Sequence, residues 1–253
     1  MDALGDLLAP YSDAIAKVAG TITTLQFLSG IFLLNDIRKK GRSDEYPPEP
    51  FLGGVVLSVL TLKMGVLMGD PATIQVNILG FAINVVFLTA FYWYASNEFK
   101  MKIWAKIGFA GAFTVACLAY ATFEDPKKIE FRFGMLITGI LLFLVGSPLL
   151  HLNKIIEKKS TAGMPFPIIL TGTMVTASWG LYAISIRNPM MAYQNLFLFL
   201  LSSIQLSLFV IYPNTPQTSE QSVTHSPSSL EHKMSNAKTS LSSSSNNVSK
   251  KIN

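Results

Sequence analysis

The most prominent pattern in the chain is a series of long apolar segments separated by short polar ones. A helix that crosses a bilayer needs about 20 mostly apolar residues. Seven segments meet that requirement, near residues 14–34, 51–68, 72–95, 104–122, 133–152, 165–186 and 190–212. They are longer than the strands of a membrane β-barrel and do not alternate as such strands do. Because backbone groups in lipid must pair within their own segment, we predict an all-α membrane protein with seven transmembrane helices.

The apolar pattern ends after Tyr212. Residues 213–253 contain twelve serines and almost no large apolar side chains, so we predict a disordered tail there. Because this tail is polar, the overall content of 50% hydrophobic and 14% charged residues understates how apolar residues 1–212 are. Such a composition excludes a nucleic-acid module on a soluble scaffold and most cytosolic enzymes.

The basic residues indicate how the helices are oriented, because Lys and Arg are enriched in cytoplasmic loops. The odd-numbered loops carry nine of them and the even-numbered loops carry four. The nine are Arg38, Lys39, Lys40, Arg42, Lys100, Lys102, Lys154, Lys158 and Lys159, and the four are Lys127, Lys128, Arg132 and Arg187. We therefore predict that the odd-numbered loops and the tail are cytoplasmic and that the N-terminus is outside. This distribution also explains the net charge of +5 without a nucleic-acid partner.

The ends of the chain and its cysteine and histidine content suggest no further chemistry. Residues 1–13 contain Asp2, Asp6 and Asp13 and no basic residue, so no cleavable signal peptide is expected. Cys117 is the only cysteine, which excludes an intrachain disulfide, and the three histidines form no ligand motif. We therefore predict no metal and no cofactor. The apolar segments contain no HExxH motif and no paired mid-membrane aspartates, so an enzyme is not expected.

The chain contains an internal repeat with an offset of 118 residues. The offset matches Asp70-Pro71 with Asn188-Pro189 and Asn77 with Asn195. Further matches in the same order are Asn35 with Asn153, Lys40 with Lys158, Phe81 with Phe199, Phe91 with Phe209 and Tyr94 with Tyr212. Helices 1–3 then correspond to helices 5–7, and helix 4 links them. We predict two parallel three-helix repeats at 1–95 and 129–212, a linker at 96–128 and the tail at 213–253. Such repeats place a substrate site at their interface.

Two asparagines at matching repeat positions are candidates for that site. An unpaired amide in hydrocarbon is costly, so Asn77 and Asn195 must face protein, water or substrate. An amide both donates and accepts hydrogen bonds, which suits the vicinal hydroxyls of a sugar. The alternative is that both amides join helices, although their matched positions favour the site. Asn84 and Ser202 also correspond, and lie seven residues further on the same helix face.

Trp179 has two interpretations. Tryptophan is common where helices meet the membrane–water interface, and Trp93 and Trp104 are expected there. The polar neighbours Thr176 and Ser178 favour a cavity instead, in which the indole face would stack on the C–H face of a sugar. Helices 3, 6 and 7 contain no ionisable residue in their central spans, whereas proton-coupled carriers usually need one. The sequence therefore favours a uniporter.

The second repeat carries a series of short motifs in a definite order and spacing. The motifs are Gly146-Ser147-Pro148-Leu149, Lys158-Lys159-Ser160-Thr161, Met164-Pro165-Phe166, Trp179-Gly180-Leu181-Tyr182, Asn195, Gln205-Leu206 and Tyr212-Pro213. Weaker matches in the first repeat are Gln26-Phe27-Leu28-Ser29-Gly30, Pro50-Phe51 and Val76-Asn77-Ile78-Leu79-Gly80. In this order and spacing the motifs resemble those of the SWEET family of sugar facilitators, and the chain is similar to animal members of that family over roughly residues 14–213.

This resemblance implies a facilitator that moves mono- or disaccharides down their gradient, with the sugar bound between the repeats. It implies that Asn77 and Asn195 hold the sugar hydroxyls and that Trp179 stacks on the ring. The pseudo-symmetric partner of Trp179 is Thr61, where animal members often carry Trp. The positions implied for hinges and for the outer gate are Gly30, Pro50, Pro148 and Pro165, and Tyr182 and Asn188, respectively.

Two further departures from the family pattern concern the gate. Asn188 stands where the family has Asp, and Met64 stands where the first repeat usually has Tyr. We expect these changes to affect gate details and substrate preference rather than the fold. The alternatives are a carrier of the same fold for a non-sugar solute and a seven-helix cargo or sorting receptor. The expected partners are a sugar, the lipid bilayer and a second copy in a homo-oligomer, and the expected location is the plasma membrane, with the Golgi as the alternative.

Overall fold

The computed structural model describes residues 2–146, 157, 161 and 166–212, and every regular element within them is helical. In chain order the helices are α1 Asp2–Leu8, α2 Ser12–Leu28, α3 Gly30–Lys40, α4 Glu49–Met68, α5 Pro71–Trp93, α6 Asn97–Phe123, α7 Ile129–Gly146, α8 Phe166–Ser185 and α9 Pro189–Ile211. A 3₁₀ turn at Ala9–Tyr11 joins α1 to α2. The predicted tail, residues 213–253, lies outside the described residues.

Seven helical spans in the described part of the chain are long and apolar enough to cross a membrane. The first is Ala3–Lys40, because α1, α2 and α3 follow one another without a loop, and α4 to α9 supply the other six. The prediction of an all-α membrane protein with seven transmembrane helices is therefore confirmed. The first span begins before the predicted residue 14 and ends after residue 34, because helical structure continues through the polar residues at both ends.

The same local device starts α5 and α9. Asp70 and Asn188 have nearly identical extended backbones, with φ/ψ of −96°/103° and −93°/101°. Each uses a side-chain oxygen to accept amide N–H bonds from the first turn of its helix, and each is followed by proline. Proline suits the first helical position because its fixed φ fits the helix and no N–H is needed there.

The two repeats are visible in the helix lengths and in the packing. Helices α4 and α8 have 20 residues each, and α5 and α9 have 23 each. Each pair forms an extensively packed hairpin, α4 with α5 and α8 with α9. Between the repeats, α2 packs on α8 and α7 packs on α4. These two contacts are equivalent under the repeat, in which α2 corresponds to α7 and α8 to α4.

The two ends of the bundle carry different loops. The turns after α4, α6 and α8 lie at one end, here called the Asp70 end, and the loops after α3 and α5 lie at the other, the Ser43 end. At the Ser43 end, the Ser43 N–H donates to the carbonyl of Tyr94 over 3.0 Å, and Asp44 accepts the Ser96 N–H over 2.9 Å. These bonds join the α3–α4 loop to the α5–α6 loop and hold the start of the linker helix against the first repeat.

Candidate functional site

Trp179 is buried between the repeats. It is 8% exposed, whereas Trp93 and Trp104 are 81% and 57% exposed. The indole packs in a cluster with Ala19 of α2 and Tyr182, one turn further along α8. The exposed tryptophans have the exposure expected at a membrane interface and Trp179 does not, and the cavity interpretation of Trp179 stays a prediction.

A chain of side-chain contacts runs from Trp179 to the Asp70 end. The Trp179 and Tyr182 rings meet edge to face, with centroids 5.5 Å apart and planes at 79°. The Tyr182 hydroxyl donates to Asp70 Oδ1 over 2.6 Å. In the other direction, the Trp179 indole Nε1–H donates to Thr23 Oγ1 over 2.8 Å. Two residues of the first repeat, Asp70 and Thr23, thus hold two aromatic residues of the second.

Asp70 has two structural roles at once. Its carboxylate caps α5 by accepting the N–H groups of Ala72 and Thr73 over 3.2 and 3.1 Å, and it also accepts a very short bond from the Thr73 hydroxyl. The remaining capacity of Oδ1 is used by Tyr182. Because the helix N-terminus stabilises negative charge, the cap holds this buried carboxylate in position for the inter-repeat bond.

The two candidate asparagines occupy equivalent positions, each the seventh residue of its helix, in α5 and α9. Each donates its Nδ2–H to the carbonyl four residues earlier, Asn77 to Thr73 over 2.8 Å and Asn195 to Met191 over 2.9 Å. Among the described residues neither Oδ1 accepts a hydrogen bond. Each amide therefore keeps an acceptor and a second N–H for another partner.

The candidate binding residues differ in how deeply they are buried and in which residues surround them. Asn195 is buried and faces Gly180, where an added Cβ would lie 3.6 Å from the Asn195 Cβ. Asn77 is half-buried, and its neighbour Val76 packs against the Trp179 cluster. Thr61 is half-buried in α4, beside Leu60 of the equivalent α4–α7 cluster. Trp179 therefore lies at the α2–α8 contact between the repeats, whereas Thr61 is not part of the cluster formed at the α4–α7 contact.

The two gate candidates have separate partners. Tyr182 bonds Asp70, while the Asn188 Nδ2–H lies 3.2 Å from Met68 Sδ and 3.4 Å from Glu130 Oε1. The repeat offset explains this arrangement, because Tyr182 corresponds to Met64 and Asp70 corresponds to Asn188. One Tyr–Asp pair is thus present. The symmetry-related pair, Met64 and Asn188, has neither the Tyr nor the Asp.

The four hinge candidates differ in their local structure, and two of them lie outside the described residues. Gly30 begins α3 where α2 ends, and an added Cβ there would lie 2.7 Å from the Phe87 ring. Pro50 lies in the first turn of α4, where proline costs no hydrogen bond. Pro148 and Pro165 lie outside the described residues. The break between α2 and α3 beside Gly30 is one residue long, since Ser29 keeps helical φ/ψ of −58°/−22° and the Phe32 N–H bonds the Ser29 carbonyl over 3.2 Å.

The N-terminal helix contacts the second repeat at the Asp70 end. Asp6 accepts a very short bond from the Arg187 guanidinium, and an added Cβ at Gly5 would lie 3.2 Å from the Ile184 carbonyl. Arg187 has a left-handed backbone, φ 56°, in the turn between α8 and α9. Together with the Asn188–Met68 contact, this pair adds to the bonds that join the repeats at this end.

Two residues of the network were not among the sequence candidates. Asp70 stood out only as part of a repeated turn dipeptide, and its bond to Tyr182 joins residues 112 positions apart. Thr23 carries no motif, and its contact with Trp179 spans 156 positions. A buried hydroxyl on an apolar helix was the available signal for Thr23, but most such threonines bond only their own helix. Within the described residues no group of three His, Cys, Asp or Glu side chains could hold a metal ion.

Comparison with known families identifies one family whose sequence pattern occurs twice in the chain. The sequence profile described as "sugar efflux transporter for intercellular exchange" matches twice, at residues 13–99 and 131–217. The two matches coincide with the two halves of the internal repeat, and together they cover more than half of the chain. The linker helix α6 lies mostly between them.

Curated relatives and a solved structure agree with that match. The sugar transporter SWEET1 of Drosophila pseudoobscura pseudoobscura is 28% identical over 79% of this chain and 89% of its own length. SWEET1 of Mus musculus is 28% identical over 80% and 92%, and the bidirectional sugar transporter SWEET17 of Arabidopsis thaliana is 26% identical over 82% and 88%. A eukaryotic SWEET transporter structure has the same fold, with a TM-score of 0.71 at 22% identity over 81% of this chain and 98% of that one. The chain therefore belongs to the SWEET family of sugar transporters.

Proposed function

We propose that this protein carries out bidirectional, facilitative transport of mono- or disaccharides, with the sugar bound between the two three-helix repeats. The observation that carries the site is the position of Trp179, an aromatic ring buried at the α2–α8 contact between repeats, beside a helix whose Asn195 has an unused acceptor. The names of the relatives support sugars as the substrate class.

The proposed binding chemistry uses the asparagines and Trp179 in different ways. Asn77 and Asn195 each offer one acceptor and one N–H to sugar hydroxyls, from equivalent positions in the two repeats. The Trp179 ring supplies an apolar face for the C–H groups of the sugar. Thr61, the equivalent of Trp179, leaves the first-repeat side of the site less filled.

The contacts at the Asp70 end support alternating access. Three side-chain contacts join first-repeat or N-terminal residues to the second repeat there: Tyr182–Asp70, Asn188–Met68 and Arg187–Asp6. The Trp179–Thr23 bond joins α8 to α2 further from that end. We assign this end to the outside from the distribution of basic residues, and the structure to an outward-closed state. Opening would separate α2 from α8 and break these contacts, while the helix break at Gly30 lets α3 move relative to α2.

The charge inventory supports transport without a coupled ion. Helices α5, α8 and α9 contain no Asp, Glu, His, Lys or Arg, and the carboxylate of Asp70 is already used by the α5 cap and Tyr182. An ion-coupled carrier needs a group that changes its charge or ligand set during the cycle. The same proposal places the protein in the plasma membrane with its N-terminus outside, which antibody access to an N-terminal tag in intact cells would test.

Radiolabelled glucose uptake into proteoliposomes without an ion gradient tests the proposal. We expect saturable uptake in the parent and loss of at least about tenfold in Asn195→Ala, because the variant removes the acceptor and the second N–H that the proposed site offers to the sugar. The matched control is Thr89→Ala, which removes an exposed hydroxyl bonded to its own α5 carbonyl. No uptake of glucose or of any disaccharide by folded protein would contradict the proposal.

A further inference from the structure

Thr23 is a buried hydroxyl on α2 with two hydrogen-bond partners. Its Oγ1–H donates to the carbonyl of Ala19, one turn earlier, over 2.8 Å. The same oxygen accepts the indole N–H of Trp179 over 2.8 Å. A hydroxyl can donate only one hydrogen bond, and here it donates that bond to the α2 carbonyl. The oxygen lone pairs are therefore left to accept the indole N–H.

This arrangement fixes what Trp179 can offer to a ligand. An indole has one N–H and no acceptor, and that N–H is already bonded to Thr23. The ring also packs edge to face with Tyr182, which is itself bonded to Asp70. The ring therefore cannot turn about its χ angles without breaking the Thr23 bond, and the surface left for contact is apolar.

The Thr23–Trp179 bond exists at the α2–α8 contact and has no counterpart at the equivalent α4–α7 contact. The repeat offset of 118 residues takes Thr23 to Leu141 and Trp179 to Thr61. Leu141 is an apolar residue packed against the α4–α7 cluster. The equivalent contact therefore has neither the hydroxyl acceptor nor the indole donor, and the bond is a property of the α2–α8 side alone.

We infer that Thr23 is a positioning residue for substrate recognition, which holds the Trp179 ring in the orientation that stacks on the sugar while the Asp70 end is closed. The inference rests on the proposed sugar site. Since Thr23 and Trp179 belong to different repeats, separation of α2 from α8 breaks their bond. Ring orientation is then tied to the state of the gate, so that the stacking platform is complete only when the outer end is closed.

Three variants separate positioning from folding. Thr23→Val keeps the β-branched shape and removes the acceptor, and Thr23→Ser keeps the hydroxyl. Thr24→Val is the matched control, because the neighbouring Thr24 hydroxyl bonds only its own helix at Gly20, over 2.8 Å. We expect Thr23→Val to raise the KM for glucose about five- to tenfold with little change in maximal rate, as the loss of one hydrogen bond allows. Thr23→Ser should restore the parent value and Thr24→Val should equal the parent.

A second readout does not depend on sugar transport. In a background with Trp93→Phe and Trp104→Phe, Trp179 is the only tryptophan, and the resonance Raman band of its indole N–H reports hydrogen bonding. We expect the band of Thr23→Val to shift to that of a free indole, and the bands of Thr23→Ser and Thr24→Val to stay at the parent position. An unshifted band in Thr23→Val, or a KM equal to that of Thr24→Val, would overturn the inference. A parent without saturable uptake but with the band shift would overturn the proposed function and the sugar role of Thr23, while leaving its bond to Trp179 established.

Discussion

The Tyr182 hydroxyl donates a 2.6 Å hydrogen bond to the carboxylate that caps α5, Asp70, and so links the second repeat to the first. A bond to a charged, buried acceptor contributes about 1.5–3 kcal/mol. Because Asp70 is fixed by its cap and Tyr182 by its ring contact with Trp179, the pair joins the gate at one end of the bundle to the proposed sugar site below it.

Tyr182→Phe is predicted to favour opening at the Asp70 end by about tenfold or more, because the closed state alone contains this bond. Spin labels on Cys replacements of the exposed residues Val66 and Tyr193, one in each repeat, would report the separation in a Cys117→Ala background. The matched control is Tyr120→Phe, whose hydroxyl bonds Glu124 and joins no repeats. Identical distance distributions for Tyr182→Phe and Tyr120→Phe would show that the bond does not hold the gate.

Asn188→Asp is predicted to destabilise the protein by about 1 kcal/mol, the scale of a partly screened charge pair. Its amide lies 3.4 Å from Glu130 Oε1, so a carboxylate there would face a like charge. This proximity gives a physical reason for an amide at a position where the first repeat has Asp70. Thermal unfolding in detergent at neutral pH would measure the effect. Glu130→Gln in the same chain should restore the parent midpoint, and a double variant as unstable as Asn188→Asp would count against the explanation.

Gly54→Ala is predicted to destabilise the α4–α5 hairpin by about 1–3 kcal/mol, the usual cost of overpacking. An added Cβ at Gly54 would collide with the side-chain amide of Asn84. The control is the neighbouring Gly53→Ala, where an added Cβ meets nothing within 4 Å and the protein should gain helix propensity. Replacing Asn84 by Ser, the residue at the equivalent position 202, should relieve the collision. Equal unfolding midpoints for the two alanine variants would refute the close contact.

Thr61→Trp is predicted to reduce disaccharide uptake about tenfold or more relative to glucose uptake, as pocket sterics can. The substitution would place a second indole at the position equivalent to Trp179 and fill the first-repeat side of the site. The measurement is the ratio of the two uptake rates in proteoliposomes, with Thr61→Val as a control that removes the hydroxyl and adds little volume. An unchanged ratio in Thr61→Trp would mean that position 61 does not limit substrate size.

Acidification is predicted to weaken the loop between α6 and α7. The Arg132 guanidinium, with help from Tyr120, lowers the pKa of Glu124 to about 2 from its ordinary value near 4.5. A lowered pKa stabilises the folded state above the unfolded value, and that contribution is lost as the pH falls from about 4.5 toward 2. The difference in unfolding midpoint between the parent and Glu124→Gln should therefore shrink over this window. A constant difference would show that the Arg132–Glu124 pair does not contribute.

The sequence was sufficient for the architecture because its signals are local. Apolar length identifies seven spans, and the Asp70-Pro71 and Asn188-Pro189 dipeptides place two equivalent helix starts, both of which the structure reproduces. The break between α2 and α3 was not predicted, since Gly30 alone does not interrupt a helix and close packing against Phe87 is a tertiary effect.

The partners within the site could not be read from one sequence. Tyr182 was assigned to a gate by resemblance, but its partner Asp70 and the bond between Thr23 and Trp179 depend on which faces of α2, α5 and α8 meet. Helical periodicity defines faces within a helix and not the rotation of one helix against another. The roles of Asn77, Asn195 and Trp179 in binding stay predictions, now with defined neighbours.

Glucose counterflow in proteoliposomes is the most direct test of facilitated transport by alternating access. Vesicles loaded with unlabelled glucose, without any ion gradient, are diluted into a trace of labelled glucose. A carrier whose site faces one side at a time should accumulate label transiently above equilibrium, and a proton ionophore should not change that overshoot. Uptake that rises only to equilibrium, or an overshoot that requires an imposed ion gradient, would contradict the account.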